Sequence, residues 1–271
     1  MFYNFARRFA LFAFALAIIV PTSIVVLGAF KKDLEIYTQP LAWPKHWSLS
    51  NFSRLIHEGN VFVPFRNSLI VTTCSVAITL TLASMAAYGI SRMINVTGKV
   101  LFLLFSLGLA IPGQVNIIPI YILFTKLHLT NSLIGLIMVN VAVTLPISIF
   151  ILTTFFRNIQ KEMFEVAGID GASTWRIYRS IALPLSRPAM GATGIFLFVI
   201  CWNDLLYPLM LITQADKKTL PLTLIDFRGE YATSFSMLFT AILVASMPLV
   251  IMYVFMQRSF VAGLTAGAVK G

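Results

Sequence analysis

From Phe9 to Phe30 the chain runs for 22 residues without a charged side chain, and comparable apolar stretches recur at 67–91, 100–124, 132–156, 189–212 and 236–257. About 20 residues rising 1.5 Å each cross the hydrocarbon core of a bilayer, and a helix satisfies its own backbone groups there. These stretches predict an all-α integral membrane protein with six transmembrane helices in a single membrane domain, 1–271. Composition agrees: 58% of the 271 residues are apolar and 11% charged, against roughly 25% charged in soluble domains. The first run follows Arg7-Arg8 as a secretory signal would. It is too long for a signal core, and no small-residue cleavage site precedes Lys31-Lys32, so an uncleaved first span is expected.

The net charge of +10 comes from basic residues scattered over short loops. No basic stripe with interleaved aromatics appears, which argues against a nucleic-acid partner. The same residues orient the chain. With the N-terminus inside, eleven Lys and Arg fall on the inner side and nine on the outer. Arg7-Arg8 and the dense stretch 157–188 then place both termini in the cytoplasm.

Several chemistries are absent. Gly98-Lys99 is followed by Val100, so there is no phosphate-cradling loop, and neither His-Glu-x-x-His nor Gly-x-Ser-x-Gly occurs. His46, His57 and His128 are expected in loops without ligand spacing, and Cys74 and Cys201 as small buried hydrophobes. No catalytic residue, metal site or bound cofactor is expected.

Polar residues within spans are costly and so suggest function. The third stretch is interrupted by Ile111-Pro112-Gly113-Gln114-Val115-Asn116-Ile117-Ile118-Pro119, a packing kink or part of a transport path. Gln114, Asn116, Asn140, Trp202, Asn203 and Asp204 are the pore or substrate candidates. Amides with aromatic rings suit a neutral, hydroxyl-rich solute. The connections 31–66, with Trp43 and Trp47, and 213–235, with Lys217, Lys218, Asp226, Arg228, Glu230 and Tyr231, are outer segments. The second is either a solvated connector or a dock for an external partner.

The longest polar interruption is 157–188. Residues 161–169 read as a short surface helix with Met163, Phe164, Val166 and Ala167 on its apolar side and Glu162 and Glu165 on the other. Asp170-Gly171 offers a turn. Ser173 or Thr174 caps a second helix, 174–182, with Trp175, Tyr178 and Ile181 on one face, ended by Leu183-Pro184. An interfacial hairpin and a rigid knob for a soluble partner both fit this pattern.

Glu165, Ala167, Gly171, Ile181, Leu183 and Pro184 reproduce the spacing Glu-x-Ala-x-x-x-Gly, nine residues, Ile-x-Leu-Pro. This resembles the EAA loop of binding-protein-dependent ABC importer permeases, with Val166 departing from the usual Ala. Asn67-Ser68-Leu69-Ile70-Val71, Ile117-Ile118-Pro119-Ile120-Tyr121, Trp202-Asn203-Asp204 and the ending Gly263-Leu264-Thr265-Ala266-Gly267-Ala268-Val269-Lys270-Gly271 resemble the MalG-type, carbohydrate-importing branch. The resemblance covers nearly the whole chain. It implies a type I importer permease fold (MetI-like) in a bacterial or archaeal inner membrane. It also implies a MalF-like second permease, two cytoplasmic ABC ATPase subunits and an external solute-binding protein. ATP and Mg2+ would be used by the ATPase, not by this chain. Coupling would run through Glu165, Ala167, Gly168, Asp170, Gly171, Ala172, Ile181, Leu183 and Pro184, with a second ATPase contact through the tail residues Gly263, Leu264, Thr265, Gly267 and Lys270. An importer for a polyol or glycerol phosphate, and an autonomous six-span carrier, are the alternatives.

Overall fold

The computed structural model describes the chain except residues 1, 58, 60, 94, 231–233 and 269–271; for residue 2, 226–230 and 256–268 it describes the backbone only. The described residues form helices and turns, with no strand. In chain order the helices are α1 (Phe2–Gly28), α2 (Asp33–Thr38), α3 (Ser50–His57), α4 (Phe62–Arg92), α5 (Val96–Gly108), α6 (Ile117–Lys126) and α7 (Leu133–Arg157). They continue as α8 (Glu162–Ile169), α9 (Thr174–Ile177), α10 (Leu183–Leu185), α11 (Arg187–Trp202), α12 (Leu206–Leu211), α13 (Leu220–Glu230) and α14 (Phe235–Ala268).

Among the described residues, α1, α4, α7 and α14 each contain a run long and apolar enough to cross a membrane. Two bent pairs bring the total to six if each counts as one span: α5 with Gly113–Lys126, bent by 84°, and Thr174–Leu185 with α11, bent by 73°. The third expected span is therefore sharply broken. Pro112 cannot donate to a helical ladder, and the chain passes through a 3-10 turn, Gly113–Asn116, before α6 begins.

The fifth span differs from expectation, because α11 stops at Trp202 and α12 starts at Leu206. The Asn203 amide donates to the Val199 carbonyl at 2.9 Å, while Asp204 Oδ1 accepts from the Leu206 and Tyr207 backbone N–H groups at 3.1 and 3.4 Å. Side chains that bond the backbone in this way end one helix and start another.

Two compact units can be told apart, 1–66 with 218–248 and 67–217 with 249–271. In the first, segment 31–57 is a tied cap rather than an open loop. Lys31 is 1% exposed, and its ammonium donates to the Gln39 and Pro40 carbonyls at 2.8 and 3.1 Å. Asn51 donates to the Ala29 and Lys31 carbonyls. Asp33 accepts from Ser236 N and Ser234 Oγ at 2.8 and 3.1 Å, fastening the cap to the start of α14. His57 closes α3 instead of lying in a loop. Trp43 and Trp47 are exposed, as membrane-interface anchors would be.

In the second unit α7 packs against both α5 and α11. Its core gathers Ala83, Ala87 and Tyr88 of α4, Ile149, Leu152 and Phe156 of α7, and Phe164 and Ala167 of α8. Cys201 is buried, but Cys74 is exposed on α4, so only one of the two is the buried hydrophobe expected.

Candidate functional site

The loop between α7 and α11 is built by recognisable local chemistry. Glu162 and Glu165 lie in the first turn of α8, where carboxylates complement the helix dipole. At its other end, Ala172 N–H bonds the Ala167 carbonyl at 3.0 Å and Gly171 N–H the Gly168 carbonyl at 3.1 Å. Gly171 has φ +77°. This is a Schellman cap, whose left-handed position favours glycine. Ser173 Oγ then accepts from Arg176 N–H at 3.4 Å and caps α9. Among the described residues, nothing beyond its chain neighbours lies within 4 Å of where a Gly171 Cβ would sit, so it is the backbone conformation that demands glycine there. Gly171→Val is expected to destabilise this turn by about 1–2 kcal/mol. Limited proteolysis at 168–174 should then accelerate about 5- to 30-fold.

α8 has two apolar faces rather than one. Phe164 and Ala167 are buried, whereas Met163, Val166 and Ile169 are exposed, Ile169 by 86%. Helical geometry explains the split: residues three apart share a side, so 164 with 167 and 163 with 166 and 169 form separate stripes. Glu162, Glu165, Gly168, Asp170 and Gly171 are exposed as well. Ala167 therefore belongs to the core, while Ala172, Ile181, Leu183 and Pro184 are half-buried supports.

The second helix also departs from expectation. Tyr178–Ala182 forms a π turn between α9 and α10, and the helical path continues through Pro184 to Leu185. Pro184 sits in the first turn of α10, where a missing N–H costs little. The π turn separates side chains expected on one face: Tyr178 is buried, Ile181 half-buried and Trp175 exposed.

The floor under α8 comes from distant segments that no local pattern marks. Tyr88 lies at ring-centroid distances of 5.9 Å from Phe156, 6.3 Å from Phe164 and 5.3 Å from Tyr178. The Arg92 guanidinium lies 4.0 Å from the centre of the Phe164 ring. The Tyr178 hydroxyl shares a buried 2.8 Å hydrogen bond with Ser84.

The pore candidates lie on the two helix breaks and on α7. Gln114 is exposed and Asn116 half-buried in the 3-10 turn, Asn140 is buried on α7, and Trp202 is buried and stacked on Phe198 at 5.7 Å. Asn203 is exposed and Asp204 half-buried. Among the described residues no hydrogen bond joins Gln114, Asn116, Asn140 and Asp204 to one another. What the fold does bring together is the two helix breaks. α12 packs against α6 and α7, and a Cβ on Gly113 would stand 3.2 Å from the Tyr207 hydroxyl. Tyr207, absent from the candidates, is thus the residue that links the breaks.

The side chains of Gly263, Leu264, Thr265 and Gly267, within α14, and all of Lys270 lie outside the described residues, as do Tyr231 and the side chains of Asp226, Arg228 and Glu230.

Residues 65–265 match the model of a family described as the binding-protein-dependent transport system inner membrane component. The diacetylchitobiose uptake system permease protein NgcG of Streptomyces coelicolor is 32% identical, covering 97% of this chain and 90% of that protein. The trehalose/maltose transport system permease protein MalG of Thermococcus litoralis is 32% identical, covering 95% and 93%. Among solved structures, a chain of a bacterial ABC transporter involved in the import of the acidic polysaccharide alginate superposes with a TM-score of 0.83, covering 96% of each chain at 19% identity. That likeness is one of fold.

Proposed function

We propose that this chain, which belongs to the binding-protein-dependent transport system inner membrane components, is the MalG-type permease subunit of an ATP-driven carbohydrate importer. A multi-pass protein of the cell membrane, it would form half of a translocation pore with a MalF-like second permease. The α7–α11 loop faces the cytoplasm in this reading and seats on one of two ABC ATPase subunits. Those subunits bind and hydrolyse ATP with Mg2+. An external binding protein delivers the solute.

One observation carries the coupling assignment. The motif loop holds a short helix whose outer stripe, Glu162, Glu165, Val166 and Ile169, is exposed while its inner stripe is anchored in the core. Gly168 supports it. Glycine within a helix costs about 1 kcal/mol relative to alanine, and among the described residues nothing beyond its own helix and chain neighbours lies within 4 Å of its absent Cβ. Its smallness therefore serves a surface approaching from outside the chain. Carbohydrate as the solute class is supported by the sugar-uptake names of the relatives, and by the absence of any Lys or Arg from the helix breaks.

Replacing Glu165 with Lys reverses charge at the proposed contact without touching the buried stripe. The variant should insert normally, lose ATPase co-purification and transport at least about tenfold more slowly, a loss of roughly 1.4 kcal/mol of coupling. Unchanged transport with normal ATPase binding would sink the assignment. Calorimetry on the cognate binding protein, with oligosaccharides, polyols and glycerol phosphates, tests the solute class.

A further inference from the structure

The exposed stripe of α8 is where a partner pushes; the buried stripe decides what that push moves. Only Phe164 and Ala167 of its eight residues are buried, and an alanine offers a single methyl. Phe164 is therefore the main side chain through which a displacement leaves α8. Its ring meets two residues in the last turns of α4, Tyr88 at 6.3 Å and the Arg92 guanidinium at 4.0 Å. Arg92 Nε is buried with no hydrogen-bond partner among the described residues, and the guanidinium lies against the ring face instead. Cation–π pairing of this kind strengthens as water is removed.

α4 is an unbroken 31-residue helix. At its other end, 25 residues and about 38 Å from Arg92, the buried Asn67 amide donates to the Asp216 carbonyl at 2.9 Å. One rigid element thus joins the loop under α8 to the turn that follows α12, within a single compact unit.

We propose that Arg92 and Tyr88 are positioning residues that clamp Phe164, so that α4 acts as a strut carrying the motion of α8 to the Asn67–Asp216 contact. The proposal rests on reading α8 as the ATPase-coupling helix. It assigns α4, and not the loop alone, as the element whose displacement reports nucleotide state at the far side of the membrane.

The test uses the complete importer in proteoliposomes, with its ATPase and loaded binding protein, and reads solute imported per ATP hydrolysed. Arg92→Met and Phe164→Leu should each lower that ratio about fivefold. The double variant should fall no further, because both changes remove one contact. Arg92→Lys, which keeps the cation, should recover at least half of the ratio. Asn67→Ala should weaken stimulation of ATP hydrolysis by the loaded binding protein. A merely structural role would reduce transport and hydrolysis together and leave their ratio unchanged. A wild-type importer that couples, with both single variants at the wild-type ratio, overturns the clamp alone. A wild-type complex in which ATP hydrolysis does not drive import overturns the coupling reading and the clamp with it.

Discussion

Phe156→Ala is expected to lower the half-inactivation temperature of the purified importer by roughly 6–12 °C and to leave little coupled transport at 37 °C. Phe156 is 0% exposed and meets Tyr88 edge-on at 5.9 Å. Lipid tails solvate apolar groups as well as a protein interior does, so the cost lies in lost packing and the cavity left behind rather than in exposure to water. Removing a buried phenyl ring costs about 3 kcal/mol on that basis. A chain of this size loses about 2–4 °C per kcal/mol. The cavity would open directly beneath Tyr88, so Phe164 would lose its floor along with the stability. Size-exclusion profiles after stepwise heating measure the first effect, and solute uptake the second. A shift below about 2 °C would mean that the cluster joining α4, α7 and α8 contributes little to the fold.

Gly135→Val should reduce the yield of folded protein severalfold. Gly135 lies in the first turn of α7, where Ser132 caps its N–H at 3.4 Å. A Cβ there would collide with the Leu129 carbonyl oxygen, a backbone atom that cannot swing aside. Leu129 belongs to a turn held by its own N–H bond to the Phe124 carbonyl at 2.8 Å, with His128 and Asn131 both in left-handed conformations. Asn131 in turn accepts from Thr213 N–H and Gln214 N–H at 2.6 and 3.0 Å. Overpacking a tight backbone site costs about 2–3 kcal/mol. The strain would spread through Asn131 to the segment after α12. Membrane-fraction yield, followed by protease cutting at 128–131 and 213–217, distinguishes this result from a simple loss of expression. Wild-type yield and protection would show that the turn yields freely.

The elements that self-satisfying helices demand were legible in the amino-acid sequence. α1, α4, α7 and α14 follow from uncharged apolar runs, and the turn at Gly171 with its neighbour Ser173 follows from local side-chain and backbone chemistry. Pro112-Gly113 marked the break in the third span but carried no information about the 84° angle, which depends on what packs beside it. Asn203-Asp204 have a structural role that residue type alone does not show. As residue types they read as polar groups inside a span, and their bonds to Val199, Leu206 and Tyr207 also make them a helix stop and a helix start. The seat of α8 was illegible for a different reason. Phe164 finds Tyr88 and Arg92 some 70 residues away in the chain, and nothing in the periodicity of either segment encodes that meeting.

The unit made of 1–66 and 218–248 has a consequence for how the molecule is made. Its two stretches are separated by the whole of 67–217, and none of the most apolar window of α1 is buried. At synthesis rates of about 5–20 residues per second, α1 and its cap wait on the order of 10–30 s for their partner to emerge from the ribosome. During that interval Asp33 has neither Ser234 nor Ser236 to bond, and the Thr240 hydroxyl has not yet met the Ala29 carbonyl. Within the intervening stretch, α7 can pack against α5 and α11 as soon as α11 is inserted. The contacts that secure α1 and its cap to the start of α14 therefore form later than the packing of α5, α7 and α11 on one another.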